Sequence, residues 1–308
     1  MIRDQKIGFI GLGAMGGAIA RRLQHAGAKL HVFDVDPEAV SRMVEGGAFA
    51  ESSPRAVADQ AEIVISCLPN GRISREVALG SEGAIHGHRM RIYVDCATIG
   101  RTSMIELGQS LAEHNIALID APVSGGPKGA DNGTLSVMAS GPAAALAAVM
   151  PVLREFGAKV FEVGSEPGMA QMMKLVNNLV SAANMASAFE ATVLGAKAGL
   201  DAQMMIDVLN ASTGRNTATE TKLPLAILTG TFDYGARVDV IYKDVQLGLQ
   251  EAETLGVPMW VGQNTGQLWR HAMTQGAGAA DYTTLIKFME AWAGVEVRAS
   301  RASASPAK

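Results

Sequence analysis

Cysteine is nearly missing from this chain of 308 residues, which carries only Cys67 and Cys96. Both stand in apolar, strand-like runs outside any metal-spaced cluster. A disulfide framework is therefore excluded, and buried free thiols in a reducing cytoplasm are expected. The six histidines are scattered and show no metal spacing. Basic residues are in no excess: the net charge of −4 leaves nothing to neutralise phosphates and argues against nucleic acid as a partner. Charged residues make up only 18% against 48% hydrophobic, the balance of a well-buried globular enzyme rather than a disordered chain. The stretch from Met1 to Lys6 has no apolar signal region. The closing residues 299–308 are small, polar and Pro-containing, and read as a frayed tail.

What the chain does have is alternation. Lys6–Ile10 reads as a strand and runs directly into Gly11, Leu12, Gly13, Ala14, Met15 and Gly16, which open a helix ending near Gly27. This G-x-G-x-x-G turn suits a pyrophosphate, because the glycines permit a tight turn and close approach while the helix start offers free N–H groups. A second strand, Leu30–Phe33, closes on Asp34, about 20 residues past the glycines, where a carboxylate meets the adenosine ribose. The other reading of Asp34 is a cap for the helix beginning near Pro37, a task Asp36 could also perform. No arginine follows Asp34, so NAD is expected in preference to NADP. Further strands are read at Glu62–Leu68, Arg91–Asp95, Ile116–Asp120, Thr134–Ala139 and Lys159–Val163, with helices at Ser52–Gln60 and Thr102–His114 between them. The pattern predicts a parallel, doubly wound Rossmann-type sheet whose ligand sites lie past the carboxyl ends of its strands, where Pro69, Thr98 and Ser124 fall.

From Gly168 to Leu200 the apolar spacing of Met172, Leu175, Val176, Leu179, Val180 and Ala183 predicts one long inter-domain helix. Lys174, Asn177, Asn178, Asn184 and Glu190 make it too polar for a membrane span. Lys174 and Asn178, four apart, share one face, either as a solvated stripe or as a functional pair. The remainder reads as all helix: Ala202–Asn210, Ala218–Leu228 with Pro224 marking a kink or new start, Asp239–Leu255, Met259–Gln275 and Thr283–Ala293. The predicted organisation is a cofactor-binding domain over 1–164, a helical substrate and dimerisation domain over 165–298, and the tail.

The segments GFIGLGAMG, SCLPN, DCAT, DAPVSGGPKGADNGTLSVMASG, KLVNNL and YKDVQLGLQEA occur in the order found in the β-hydroxyacid dehydrogenase family, typified by 3-hydroxyisobutyrate dehydrogenase. The chain resembles that family from about Lys6 to Val297. The resemblance implies NAD-dependent oxidation of a small carboxylate-bearing hydroxyacid, or its reverse; the free thiols point to the cytoplasm, and the Met and Leu left to cover in the helical half point to a homodimer or homotetramer. It implies Lys174 as the catalytic acid/base and Asn178 as the residue that helps place the substrate. It further implies Ser124, Gly125 and Gly126 as the loop holding the substrate carboxylate. Leu68, Pro69 and Thr98 match positions beside the nicotinamide, and Lys243 matches a second lysine near the cofactor. Lys243 beside Asp244 also reads as a structural ion pair, and Arg215 as either an anion anchor or a surface residue. Two positions depart from the pattern: Ala97 where the family often has Ser, and Ile73 where it often has Asn. Imine reductases share the architecture but typically lack a lysine at the position of Lys174. A non-catalytic cofactor-binding module is the other rival.

Overall fold

The structure, a computed structural model, describes residues 2–299. The expected tail lies, past Ala299, outside the described residues. The chain divides into two compact units, Met1–Leu175 and Val176–Lys308.

The first unit is a nine-stranded sheet with helices. Its strands are β1 (Lys6–Ile10), β2 (Lys29–Phe33), β3 (Phe49–Ala50), β4 (Ile63–Ser66), β5 (Ile92–Asp95), β6 (Ala117–Asp120), β7 (Val123–Ser124), β8 (Leu135–Ser140) and β9 (Gly157–Gly164). Helices α1 (Ala14–His25), α2 (Pro37–Glu45), α3 (Pro54–Gln60), α4 (Gly71–Leu79), α5 (Arg101–Ala112), α6 (Gly126–Asp131) and α7 (Ala143–Phe156) connect them. The strand order is β3-β2-β1-β4-β5-β6-β8-β7, with β9 also pairing β8. The order reverses between β1 and β4, which opens a crevice at the carboxyl ends of those strands. Alternate residues feed two cores, because successive side chains point to opposite faces. Ile65, Val94 and Ile119 pack on one face with Ile19 and Leu23, and Val64, Tyr93 and Leu118 on the other with Met104 and Leu107.

Pairing is parallel from β3 through β6, but β8 runs antiparallel to both β6 and β7. The segment 125–134 that joins β7 to β8 is shorter than the dozen or more residues a parallel crossover needs. Strands β3 and β7 have two residues each, too few to display a period of two, and periodicity does not find them.

Helix α8 (Met169–Lys197) is continuous over 29 residues and crosses from the first unit into the second. By length and composition alone it is apolar enough to cross a membrane, contrary to the expectation that its polar residues forbid it. Here its Ala182, Met185, Phe189 and Val193 are buried in the core of the helical unit. Val176 and Val180, read from the sequence as part of its apolar face, are exposed. The helix is apolar nearly all round, so spacing alone does not select the buried stripe.

The second unit continues with α9 (Ala202–Ala211), a π-helix over Ala218–Ile227, α10 (Val238–Thr254), α11 (Trp260–Thr274) and α12 (Leu285–Ala293). Where an α-helix kinked at Pro224 is expected, the chain takes ten residues of π geometry. A proline has no N–H to donate and crowds the preceding turn, and the wider π turn accommodates it. Trp269, Leu285 and Ile286 complete this core.

Candidate active site

The glycine turn is built as its sequence demands. Gly11 has a φ of 92°, a conformation that suits glycine. A Cβ on Gly16 would collide with the carbonyl oxygen of Gly11, so the start of α1 packs against the turn. A Cβ on Gly13 would meet nothing within 4 Å, and Gly13 caps α1 without any side-chain hydrogen bond. The helix start therefore faces open space with its N–H groups and positive dipole end available to an anion. Gly11 N–H donates to the Phe33 carbonyl at 3.0 Å, and Leu12 N–H donates to Asp34 Oδ2. Asp34 Oδ1 accepts from Asp36 N–H at 2.8 Å, while Asp36 itself caps α2 through Glu38 N–H at 3.0 Å. The capping reading of Asp34 thus passes to Asp36, and Asp34 ties the turn after β2 to the glycine turn.

Leu12, Gly13, Asp34, Arg21 and Arg42 line a cleft of about 310 Å³. These features fit a dinucleotide, with a backbone cradle that a side chain would fill and a carboxylate at the end of β2. Arg21 and Arg42 were not singled out from the sequence. They reach the cleft from α1 and α2, where helical spacing rather than adjacency to Asp34 brings them in. Both are engaged by acids, Arg21 with Asp131 at 2.9 Å and Arg42 with Asp36 at 3.9 Å.

Leu68 and Pro69 follow β4, and Thr98 follows β5, so both reach the same sheet edge as the glycine turn. Leu68 and Thr98 are half-buried and Pro69 is exposed. Ile73, one of the two departures from the family pattern, donates its N–H to Asn70 Oδ1 at 3.0 Å, which caps α4. Cys96 is buried, and burial pushes its thiol well up. Cys67, expected to be buried, is only half so, because it sits where β4 ends at the crevice. Ser124 ends β7 half-buried, with Gly125 and Gly126 at φ 132° and 70°. A Cβ on Gly126 would meet no atom within 4 Å, so this loop too presents backbone to open space.

Lys174 lies in the second turn of α8 and is 8% exposed. Two residues overlooked in the sequence hold that turn. Asp120, at the end of β6, accepts from Gly168 N–H at 3.0 Å and Gln171 N–H at 2.9 Å, capping the helix from outside it. Gln171 donates to Asp120 Oδ1 at 2.7 Å and to the Ala97 carbonyl at 2.9 Å, and accepts from Ile99 N–H at 2.9 Å and Gly100 N–H at 3.1 Å. One amide thus staples the loop carrying Thr98 to the helix carrying Lys174. Burial raises the Asp120 carboxyl to about 7, opposed by these same donors. The signal available beforehand was weak: a carboxylate ending a strand, and a polar residue one turn ahead of Lys174. Gln171→Leu should lower the unfolding free energy in urea by about 3 kcal/mol, since it strands several buried backbone groups. A loss below about 1 kcal/mol would mean that water replaces the amide.

In the second unit Asn178 Nδ2 donates to Asp244 Oδ2 at 2.6 Å, and Asn178 Oδ1 accepts from Asn177 at 2.9 Å. Asp244 Oδ1 pairs with Lys243 Nζ at 3.1 Å. The ion pair expected as one reading of Lys243 is present, and Asp244 joins it to Asn178. Arg215 pairs with Glu220 at 2.6 Å on the exposed surface. Among the described residues no group of three or more metal-ligating side chains occurs.

Residues 6–164 match the NAD binding domain of 6-phosphogluconate dehydrogenase. Residues 168–289 match the family described as NAD-binding of NADP-dependent 3-hydroxyisobutyrate dehydrogenase. The chain is 35% identical over 298 residues to 2-(hydroxymethyl)glutarate dehydrogenase of Eubacterium barkeri, covering 96% of this chain and 99% of that one. The solved 3-hydroxyisobutyrate dehydrogenase of Mycobacterium tuberculosis with L-serine superposes with a TM-score of 0.86 at 28% identity, covering 93% of this chain and 99% of that one. The imine reductase of Streptomyces aurantiacus, at 21% identity and a TM-score of 0.63 over 92% of this chain and 99% of that one, shares the fold alone. The chain is an NAD-binding oxidoreductase and belongs to the 3-hydroxyisobutyrate dehydrogenase-like family of β-hydroxyacid dehydrogenases.

Proposed function

We propose that this enzyme oxidises the alcohol of a small β-hydroxyacid to the semialdehyde or ketone, or runs the reverse reduction, with Lys174 as general acid/base. The single observation behind this reading is the burial of Lys174 on a helical turn stapled by Gln171 to the loop after β5. A bound nicotinamide supplies the hydride acceptor or donor. The protein's own tasks are to hold the carboxylate, align the alcohol and move one proton. Ser124 and the N–H groups of Gly125 and Gly126 hold the carboxylate in a loop whose positive φ angles favour glycine. Asn178 aligns the alcohol without changing charge, its amide oriented by Asp244. The Lys174 amine takes the hydroxyl proton in oxidation and returns it in reduction.

The dinucleotide pyrophosphate is assigned to Gly11, Leu12, Gly13, Ala14, Met15 and Gly16, the ribose to Asp34, and the nicotinamide half to Leu68, Pro69 and Thr98. Lys243 is assigned to the cofactor as a second lysine near it, with Asp244 as its ion-pair partner. Residues 1–164 are taken as the cofactor domain and 165–298 as the substrate and dimerisation domain. A cytoplasmic homodimer or homotetramer is proposed; Met173, Val176 and Val180, exposed on successive turns of α8, support self-association.

A panel of hydroxyisobutyrate, glycerate, serine, threonate and hydroxymethylglutarate, followed by NADH absorbance, tests the reading. At least one member should give turnover with NAD. A flat trace across the panel would revive the imine reductase reading or that of a non-catalytic module.

A further inference from the structure

Gln171 stands three residues before Lys174 on α8, so the two share one face of the helix. It is fully buried, and its amide is saturated. The oxygen accepts from Ile99 and Gly100 N–H, while the nitrogen donates to the Ala97 carbonyl and to Asp120 Oδ1. Turning the amide over would set its nitrogen against two donors and its oxygen against two acceptors, so one orientation is fixed. Asp120 and Ser140 hold the helix start from the sheet. Asp120 Oδ2 accepts from Gly168 N–H at 3.0 Å and Gln171 N–H at 2.9 Å, and the Ser140 hydroxyl accepts from Ala170 N–H at 3.0 Å. Backbone donors that a helix start leaves over are thus received by side chains from β6 and β8. The arrangement is also a costly one. Asp120 and Asp95 are opposite each other in the β5–β6 ladder, and both are fully buried.

We propose that Gln171 and Asp120 are positioning residues of the reaction: they fix the turn bearing Lys174 against the loop bearing Thr98, so that amine and nicotinamide keep one spacing. This rests on the reading above, in which Lys174 is the acid/base and Thr98 lies beside the nicotinamide. The hold needs Asp120 as the carboxylate. A proton on Oδ1 would face the Gln171 amide nitrogen, and a proton on Oδ2 would face backbone N–H groups, so protonation breaks the hold on one side. Facing Asp120 are Asp95 at the end of β5 and Cys96 after it, Ser140 on β8, and Gly168 and Gln171 at the start of α8. Burial raises the Asp120 carboxyl from its ordinary 3.8 to about 7. Its contribution to stability is therefore present at low pH and lost as pH rises through about 7. Catalysis should run the other way, because the hold is complete only when Asp120 is ionised.

The test uses the hydroxyacid of the panel above with the highest turnover, together with its carbonyl product, well below each variant's unfolding temperature. Gln171→Glu keeps the shape but sets a carboxylate against Asp120. It should lose roughly 10- to 100-fold in kcat, with KM for NAD changed about 2-fold or less. Adding Asp120→Asn exchanges donor and acceptor between the two positions, leaves only the Ala97 carbonyl without its donor, and should regain most of the loss. Reduction needs Lys174 protonated, so acid by itself favours that step. The wild-type kcat for reduction should nevertheless fall as pH drops through about 7, while Asp120→Asn shows no such limb. Unchanged kcat in Gln171→Glu, a loss confined to KM for NAD, no regain in the double variant, or no acid limb in the wild type overturns the proposal. Each of these leaves the Lys174 reading standing, since Lys174→Ala decides that alone. Should a single variant fail to fold, the double variant and the wild-type pH profile still decide. A wild type inactive across the panel removes the dehydrogenase reading and this proposal with it.

Discussion

Lys174→Ala should bind NAD as the wild type does and lose on the order of 10²- to 10⁴-fold in turnover. The substitution is a clean one for this structure. Alanine is the best helix former, so α8 keeps its geometry. The bonds that cap the helix come from Gly168 and Gln171 to Asp120, and none involves the Lys174 side chain. The Asn178 amide remains oriented by Asp244, and the glycine turn is untouched. What disappears is the amine, so the loss should fall on kcat while NAD affinity by calorimetry stays put. Lys174→Arg should rescue little, because a guanidinium keeps its proton throughout the working pH range. Near-normal turnover of Lys174→Ala would remove this residue from the chemistry.

Asp34→Asn combined with Val35→Arg should raise the NADP-over-NAD ratio of kcat/KM by roughly 10- to 100-fold. The carboxylate at the end of β2 disfavours a 2′-phosphate by like charge, and Val35 beside it is 89% exposed, so an arginine there meets solvent and not core. Arg42 already lines the same cleft and is held by Asp36 and Glu38. The change carries a cost to NAD binding as well. Asp34 accepts one N–H on each oxygen, and asparagine offers only one acceptor oxygen, so either Leu12 or Asp36 loses its partner. Steady-state kinetics with both cofactors measures the ratio. A wild type that already prefers NADP would overturn the ribose assignment.

Much of the first unit was legible because its features are local. A glycine turn between a strand and a helix, and a carboxylate one strand later, can be read from spacing. So can the long α8, since length and apolar periodicity are properties of one segment. Reading failed where different segments meet. The antiparallel return of β8 depends on how few residues join it to β7. The buried stripe of α8 depends on which neighbours arrive. The π geometry at Pro224 is a compromise among packing, proline and hydrogen bonding that no propensity encodes.

By itself the amino-acid sequence determined the class of the fold, the dinucleotide cradle, and the lysine and asparagine placed one helical turn apart. Each follows from covalent neighbours and helical or strand periodicity, which act over a few residues. Only the tertiary structure decided that Asp120 and Gln171 hold the start of α8, that Asp244 orients Asn178, and that Lys222 is buried beside the Tyr234 ring. Those outcomes join residues distant along the chain, and their free energy comes from burial and hydrogen bonds that exist only after the elements have packed.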